Sequence, residues 1–308
     1  MSDDIKIISC FSYKGGAGRS TLALNVAPFL ADKLGATPDR PLILVDMDVD
    51  SCGITFFFNL DTVMDPDDFK HCNVQALFGK RGSIPQDRVP LREHPVFKGL
   101  YPVGKLLGYD EDAAILCMPA NPVAGGSLGY DAGVNESKTM SQFVELCEDY
   151  GCSGILFDSA VGDQLTAKWS NHYADDILCV MRPTQQFREG TARFFDKFDK
   201  QIEQGKRIIL IPNVVPTEPL TLEDHDGKHE YPLHAKSAIK ESFMDNVARN
   251  ENDYDLSMVE GGWFGVPKVD RFMWQEGILR TVDKRDLTDT EHDALKCYKK
   301  IAEIICKD

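Results

Sequence analysis

The residues from Lys14 to Thr21, Lys-Gly-Gly-Ala-Gly-Arg-Ser-Thr, lie between an apolar run and an amphipathic one and have the composition to hold a polyphosphate. Glycines let a backbone curl so that successive N–H groups face inward, and a following helix adds its positive N-terminal end; together these make an anion nest. Against the phosphate-loop pattern GxxxxGK[ST], two positions differ: Tyr13 stands where the first glycine would be and Arg19 where the lysine would be. Arginine keeps the charge but exchanges a compact point for a planar fork. Phosphate binding is expected to survive that exchange, while the speed of any hydrolysis changes.

Further along are carboxylates that could serve a metal ion or a water. Asp46 and Asp48 follow the apolar run 42–45 two positions apart, which on an extended strand end puts them on one face. Asp158 closes the apolar run 154–157. Asn213 follows Ile-Ile-Leu-Ile-Pro, and an amide there can pair with both a donor and an acceptor edge of a base. The histidines at 71, 94, 172, 225, 229, 234 and 292 show no metal-ligand spacing, although three of them fall together between 225 and 234. Nine cysteines occur without a CxxC pair, so they read as reduced thiols, several of them in the core.

These residues need a scaffold, and short apolar runs alternating with amphipathic stretches supply it. That alternation predicts an α/β fold: a mostly parallel sheet in a three-layer α/β/α arrangement, helices on both faces. Residues 5–10, 42–45, 114–118, 154–157, 176–181 and 207–211 read as strands, and 20–34, 138–150 and 185–202 as helices. On the last of these, Phe187, Thr191, Phe194, Phe198 and Ile202 share one face and read as core packing. Residues 294–305 have helical spacing without the basic face of a membrane-surface helix. Two regions break the rhythm. Residues 59–112 mix proline, glycine and charge around one short helical candidate, 73–78, and read as a long excursion on the ligand side of the sheet. Residues 217–262 carry eleven Asp and Glu against four Lys and Arg, and read as an acidic, solvated insertion, partly helical over 235–248, within a single domain of residues 1–308.

With 308 residues, 43% of them hydrophobic, the chain can bury a large core, and no apolar stretch is long enough to cross a bilayer. The acidic start Met-Ser-Asp-Asp lacks the basic and then greasy character of a secretory leader, which points to a cytoplasmic protein. A formal net charge of −15 repels phosphate backbones and anionic lipid, which disfavours direct nonspecific DNA binding and membrane binding.

Taken together, the motifs resemble the ParA/MinD family of P-loop ATPases. Lys14 to Thr21 is similar to its deviant Walker A loop, KGGxGK[ST][ST], in a branch where arginine replaces the second lysine. Leu42-Ile-Leu-Val-Asp-Met-Asp48 resembles the family's hhhhDxD motif, and Gly154-Ile-Leu-Phe-Asp158, with Gly162 four residues on, its Walker B strand. Residues 174–183 are similar to the strand that follows, Ile209-Leu-Ile-Pro-Asn213 to the strand that ends in an adenine-reading Asn, and Val266-Pro-Lys-Val-Asp270 to the loop over the base.

The resemblance implies ATP and Mg²⁺ as ligands. Gly15, Gly16, Ala17 and Gly18 would cradle the phosphates, with Arg19 the cation in cis and Thr21 reaching the α-phosphate. Ser20, Asp48 and Asp158 would hold the metal, with Asp48 also orienting the attacking water and, like Lys14 and Arg19, serving the chemical step. Asn213, Pro267, Val269 and Asp270 would surround the adenine, and Lys14 would reach the phosphates bound by a second subunit, which implies a nucleotide-dependent homodimer.

Three functions fit these expectations. The first is an ATPase switch that closes as a dimer on ATP, opens on hydrolysis and signals to a protein partner. The second is an ATP-dependent small-molecule ligase or kinase on the same fold, its substrate near Asp48, with the 119–129 segment as a candidate loop. The third is an iron–sulfur reductase, for which Cys117 and Cys152 lack the setting of a cluster.

Overall fold

The computed structural model describes residues 5–79, 81–85, 88–123, 138–184, 186–187, 189–191, 206–215, 220–224, 227–231, 265–273 and 277–307. Its main sheet has seven strands: β1 (Lys6–Ser12), β2 (Leu42–Asp46), β3 (Tyr101–Pro102), β4 (Ile115–Met118), β5 (Gly154–Val161), β6 (Asp176–Met181) and β7 (Arg207–Pro212). The order across the sheet is β3-β4-β2-β5-β1-β6-β7, parallel throughout except where β3 runs antiparallel to β4. The six long strands are nearly continuous apolar runs because helices cover both faces of such a sheet and leave no wet side to pattern.

Alternation along β1 shows what covers each face. Cys10 donates its Sγ–H to the Arg19 carbonyl of α1 (Arg19–Leu34), while the adjacent Ser9 hydroxyl donates to Asn171 Oδ1 of α8 (Leu165–Tyr173) at 2.7 Å. Helix α1 and helix α8 therefore lie on opposite faces of β1 and β5. The outer side of α1 packs against α9 (Asp289–Ile305), the helix expected over 294–305. Helix α8 was not apparent in the sequence, because its Lys, Ser, Asn and His side chains dilute the apolar stripe. Two of its buried polar groups pair across to the sheet, Ser170 Oγ donating to Ser159 Oγ at 2.7 Å and Asn171 Oδ1 accepting from Ser9.

Residues 59–112 do more than wander above the sheet. After α2 (Gly53–Phe57) they form α3 (Leu60–Val63), α4 (Pro66–His71), α5 (Val74–Phe78), α6 (Pro95–Gly99) and the edge strand β3. Leu77, Phe78, Val96, Phe97, Leu100, Val103 and Leu107 are all buried in the common core, so the region completes it. Pro102 suits β3 because an edge strand has one side that needs no ladder donor. His94 is fully buried, its Nδ1 accepting the Val96 N–H at the start of α6. Helix α7 (Lys138–Asp149) matches the expected 138–150.

Within the acidic stretch, β8 (Leu220–Asp224) and β9 (Gly227–Tyr231) pair antiparallel as a two-stranded sheet of their own. The helix expected over 235–248 lies outside the described residues, as does that over 185–202 apart from 186–187 and 189–191. The 119–129 segment is described only as far as Val123.

Candidate functional site

The loop expected to hold phosphate joins β1 directly to α1. Strand β1 is flanked by β5 on one side and β6 on the other, so the loop stands where the chain switches direction across the sheet, the place where open α/β sheets leave a crevice. Two of its glycines are in the left-handed region, Gly16 at φ 79° and Gly18 at φ 86°. Gly18 is the N-cap of α1 and carries no side-chain capping bond, so the first N–H groups of the helix face the loop without an internal competitor. Lys14, Gly15 and Gly16 are exposed, whereas Ala17 is fully buried. The Lys14 ammonium makes no ion pair with any described residue, and the Lys14 carbonyl accepts from Ser12 Oγ at 2.8 Å.

Beneath the loop the parallel register places Asp46 of β2 directly beside Asp158 of β5, and Asp158 in turn beside Cys10 of β1. Asp46, Asp48 and Asp158 are 0, 4 and 0% exposed, and Arg19, the buried cation among them, is 8% exposed. Arg19 Nη2 donates to Asp48 Oδ2 at 2.8 Å, and Asp48 Oδ1 accepts the Ser51 N–H at 3.3 Å. Asp46 Oδ2 accepts from both the N–H and the hydroxyl of Thr55, at 2.9 and 2.7 Å, which ties it to α2. Asp158 is the exception: neither of its carboxyl oxygens has a hydrogen-bond partner.

Burial pushes the Asp158 carboxyl well above the ordinary carboxylate range, and the neighbouring Asp46 charge pushes it further. Arg19 pulls it back, as does Ser20, which lies within electrostatic reach without completing a hydrogen bond of good geometry. Asp46 is raised for the same first reason, burial, against the lowering bonds from Thr55. Three buried carboxylates around one guanidinium leave negative charge in excess, which is costly without a further cation. The donor set fits magnesium, which takes one or two carboxylates, a hydroxyl and phosphate oxygens rather than an all-protein cage. Among the described residues, no group of three or more His, Cys, Asp or Glu is arranged to hold a metal by itself. Gly53 keeps the approach to Ser20 open, since a Cβ on it would stand 2.9 Å from Ser20 Oγ.

Asn213 does come to the loop, although its amide has another bond to make. Its Nδ2 donates to the Ala17 carbonyl at 2.8 Å, behind the cradle, which leaves Oδ1 for a ligand. The segment expected over the base runs beside it: the Val215 N–H donates to the Val266 carbonyl and the Lys268 N–H to the Val215 carbonyl. Pro267 and Val269 are buried, while Asp270 is exposed and paired with Lys268 at 2.9 Å. Thr21 lines a narrow cleft with Ser20, Leu24, Gly53, Phe57 and Gly277.

Two supports were not legible in the sequence. Thr55 holds Asp46 and also accepts the Ala120 N–H, and Asn25 of α1 grips Gly277 O and Leu279 N–H more than 250 residues away. Neither sits in a motif, because each acts through a contact that only the fold creates. Eight of the nine cysteines are buried and all nine are free.

No protein-family model matches the chain, and no curated protein matches it. Solved structures do. The apo McdA of Cyanothece superposes with a TM-score of 0.64 at 14% identity, over 98% of this chain and 100% of that one. The cell division ATPase MinD of Pyrococcus furiosus gives 0.57 at 17% identity, over 97% and 98%. Cobyrinic acid a,c-diamide synthase of Mycobacterium smegmatis, solved with an ATP analogue and magnesium, gives 0.55 at 13% identity, over 97% and 93%. The chain thus has the α/β fold of the P-loop NTPases, in the form shared with MinD.

Proposed function

We propose that the chain is a magnesium-dependent ATPase whose nucleotide state controls its pairing with a second copy, and through that a protein partner. The observation that carries the nucleotide reading is the pairing of a left-handed glycine cradle with a fully buried, unpartnered Asp158 beneath it. Buried carboxylates without partners are rare and costly, and a metal brought in with phosphate would satisfy this one. Arg19 and the cradle N–H groups would neutralise phosphate charge, Ser20 and Asp158 would hold the metal, and Asp48 would orient a water toward the terminal phosphorus. When bound, the metal draws charge off the phosphates and fixes their geometry. The fold itself does not separate a switch from a ligase, since a diamide synthase shares it. The pairing reading is supported by Lys14, an exposed cation on the outer lip of the loop with no ion partner among the described residues.

The test is direct. Calorimetry with Mg-ATP is expected to show one site per chain that disappears in EDTA, and phosphate release to show slow turnover. Light scattering is expected to show a monomer with ADP and a dimer with a nonhydrolysable analogue. Binding without dimerisation would turn the reading toward a small-molecule enzyme.

A further inference from the structure

The arginine of the loop is held on one side only. Arg19 Nη2 is paired with Asp48 Oδ2 at 2.8 Å, the two side chains being 8 and 6% exposed, while Arg19 Nη1 is buried with no hydrogen-bond partner. A guanidinium is a planar fork whose terminal nitrogens bond two acceptors at once, whereas an ammonium is a single point. A buried donor left unmade costs free energy that a ligand oxygen would recover. Asp48, for its part, stands close to the Asp46 and Asp158 carboxylates, which it pushes upward, so without a cation it would be driven away from them.

We propose that Arg19 is a bridge: it positions the Asp48 carboxylate through Nη2 and takes an oxygen of the terminal phosphates through Nη1. One rigid cation then sets the water-orienting carboxylate at a fixed place relative to the phosphate it serves. This explains why the position carries arginine, since a lysine reaching the phosphates would leave Asp48 without its partner. The inference rests on the reading of this site as an ATPase.

The experiment uses the full chain with Mg-ATP, measuring affinity by calorimetry and kcat by phosphate release for Arg19→Lys, Asp48→Asn and the double variant. Arg19→Lys keeps the charge, so affinity changes by no more than about threefold while kcat falls by at least about tenfold. In the Asp48→Asn background the same change lowers kcat by less than about twofold, because the group that Arg19 positions is already gone. Asp48→Glu, which lengthens the carboxylate by one methylene and disturbs the pair without touching the loop, supplies a second arm and is expected to lower kcat while sparing affinity. An equal kcat loss from Arg19→Lys in both backgrounds, or lost affinity at unchanged kcat, overturns the bridge and leaves Arg19 as a phosphate cation alone. A wild type that binds no Mg-ATP overturns the nucleotide reading itself, and the bridge with it.

Discussion

Asp158 and Lys14 each carry one test at the scale of a single side chain, the first of the proposed metal and the second of the proposed dimer. Asp158 is fully buried, unpartnered and beside a second carboxylate, so in the absence of metal it works against the fold. Burial holds the Asp158 carboxyl well above the ordinary carboxylate range, which costs stability at any pH above its unfolded pKa. Asp158→Asn is therefore expected to raise the thermal midpoint of the metal-free protein near neutral pH while weakening Mg-ATP binding by about tenfold or more, the loss of a contact worth roughly 1.5–3 kcal/mol. Thermal melts with and without Mg-ATP check both halves, and a variant that melts lower in EDTA than the wild type would show that Asp158 is structural. Lys14 is exposed and unpaired among the described residues, so its removal leaves the cradle intact. Lys14→Ala is expected to keep nucleotide affinity within about threefold while abolishing the dimer formed with a nonhydrolysable analogue, because a rim cation matters chiefly to what docks against it. Sedimentation of the two proteins side by side decides it; an equally dimeric variant removes Lys14 from the interface.

At the scale of the element, the termini of two helices carry most of the positional information. Gly18 caps α1 at φ 86°, and a Cβ there would meet Asn213 Nδ2 at 2.5 Å. Gly18→Ala therefore strains the backbone and breaks the Asn213 to Ala17 bond together, at a cost of about 1–2 kcal/mol for the left-handed residue alone. Denaturant unfolding should show that loss, and nucleotide binding should fall with it. Helix α9 begins with a capping box, in which the Glu291 N–H donates to Thr288 Oγ1 and the Thr288 N–H to the Glu291 carboxylate. Thr288→Ala should cost about 1 kcal/mol. Burial pushes the Glu291 carboxyl up, but the Thr288 N–H and Arg271 outweigh it and hold it below its ordinary value. A carboxyl lowered by folding contributes stability above its unfolded pKa, and that contribution is lost as the pH falls below about 4. Glu291→Gln should flatten this part of the acid unfolding curve, and an unchanged curve would show that the box is not coupled to stability.

On the scale of the whole molecule, the acidic stretch leaves and returns at nearly one point. Val215 and Pro267 form a parallel bridge, and the hairpin β8–β9 shares no ladder with the main sheet. Replacing residues 217–262 by a short glycine-serine linker should therefore keep the sheet and the Mg-ATP site, since a segment joined at adjacent ends adds little closure entropy when shortened. The excision would also remove a net charge of −7 from a chain of −15. An insoluble product, or one that no longer binds Mg-ATP, would show that the segment completes the fold.

What the sequence determined by itself was local: the six long strands, α1, α7 and α9, and the phosphate loop were legible because each depends on a short run of apolar periodicity or on glycine in a helix-leading turn. Residues 59–112, apart from the short helix expected at 73–78 and found as α5, and α8 were not, because their burial is met through tertiary contacts, as when Ser9 donates to Asn171 or Gln75 reaches Asn121. The same holds inside the site. Glycine, arginine and the three aspartates could be picked out by type and spacing, but only the tertiary structure decided that Arg19 grips Asp48, that Thr55 anchors Asp46 and that Asp158 is left bare. Sequence spacing constrains which face a residue takes on its own strand or helix, whereas pairing between side chains depends on the register of parallel strands, and that register is set by the packing of the whole sheet.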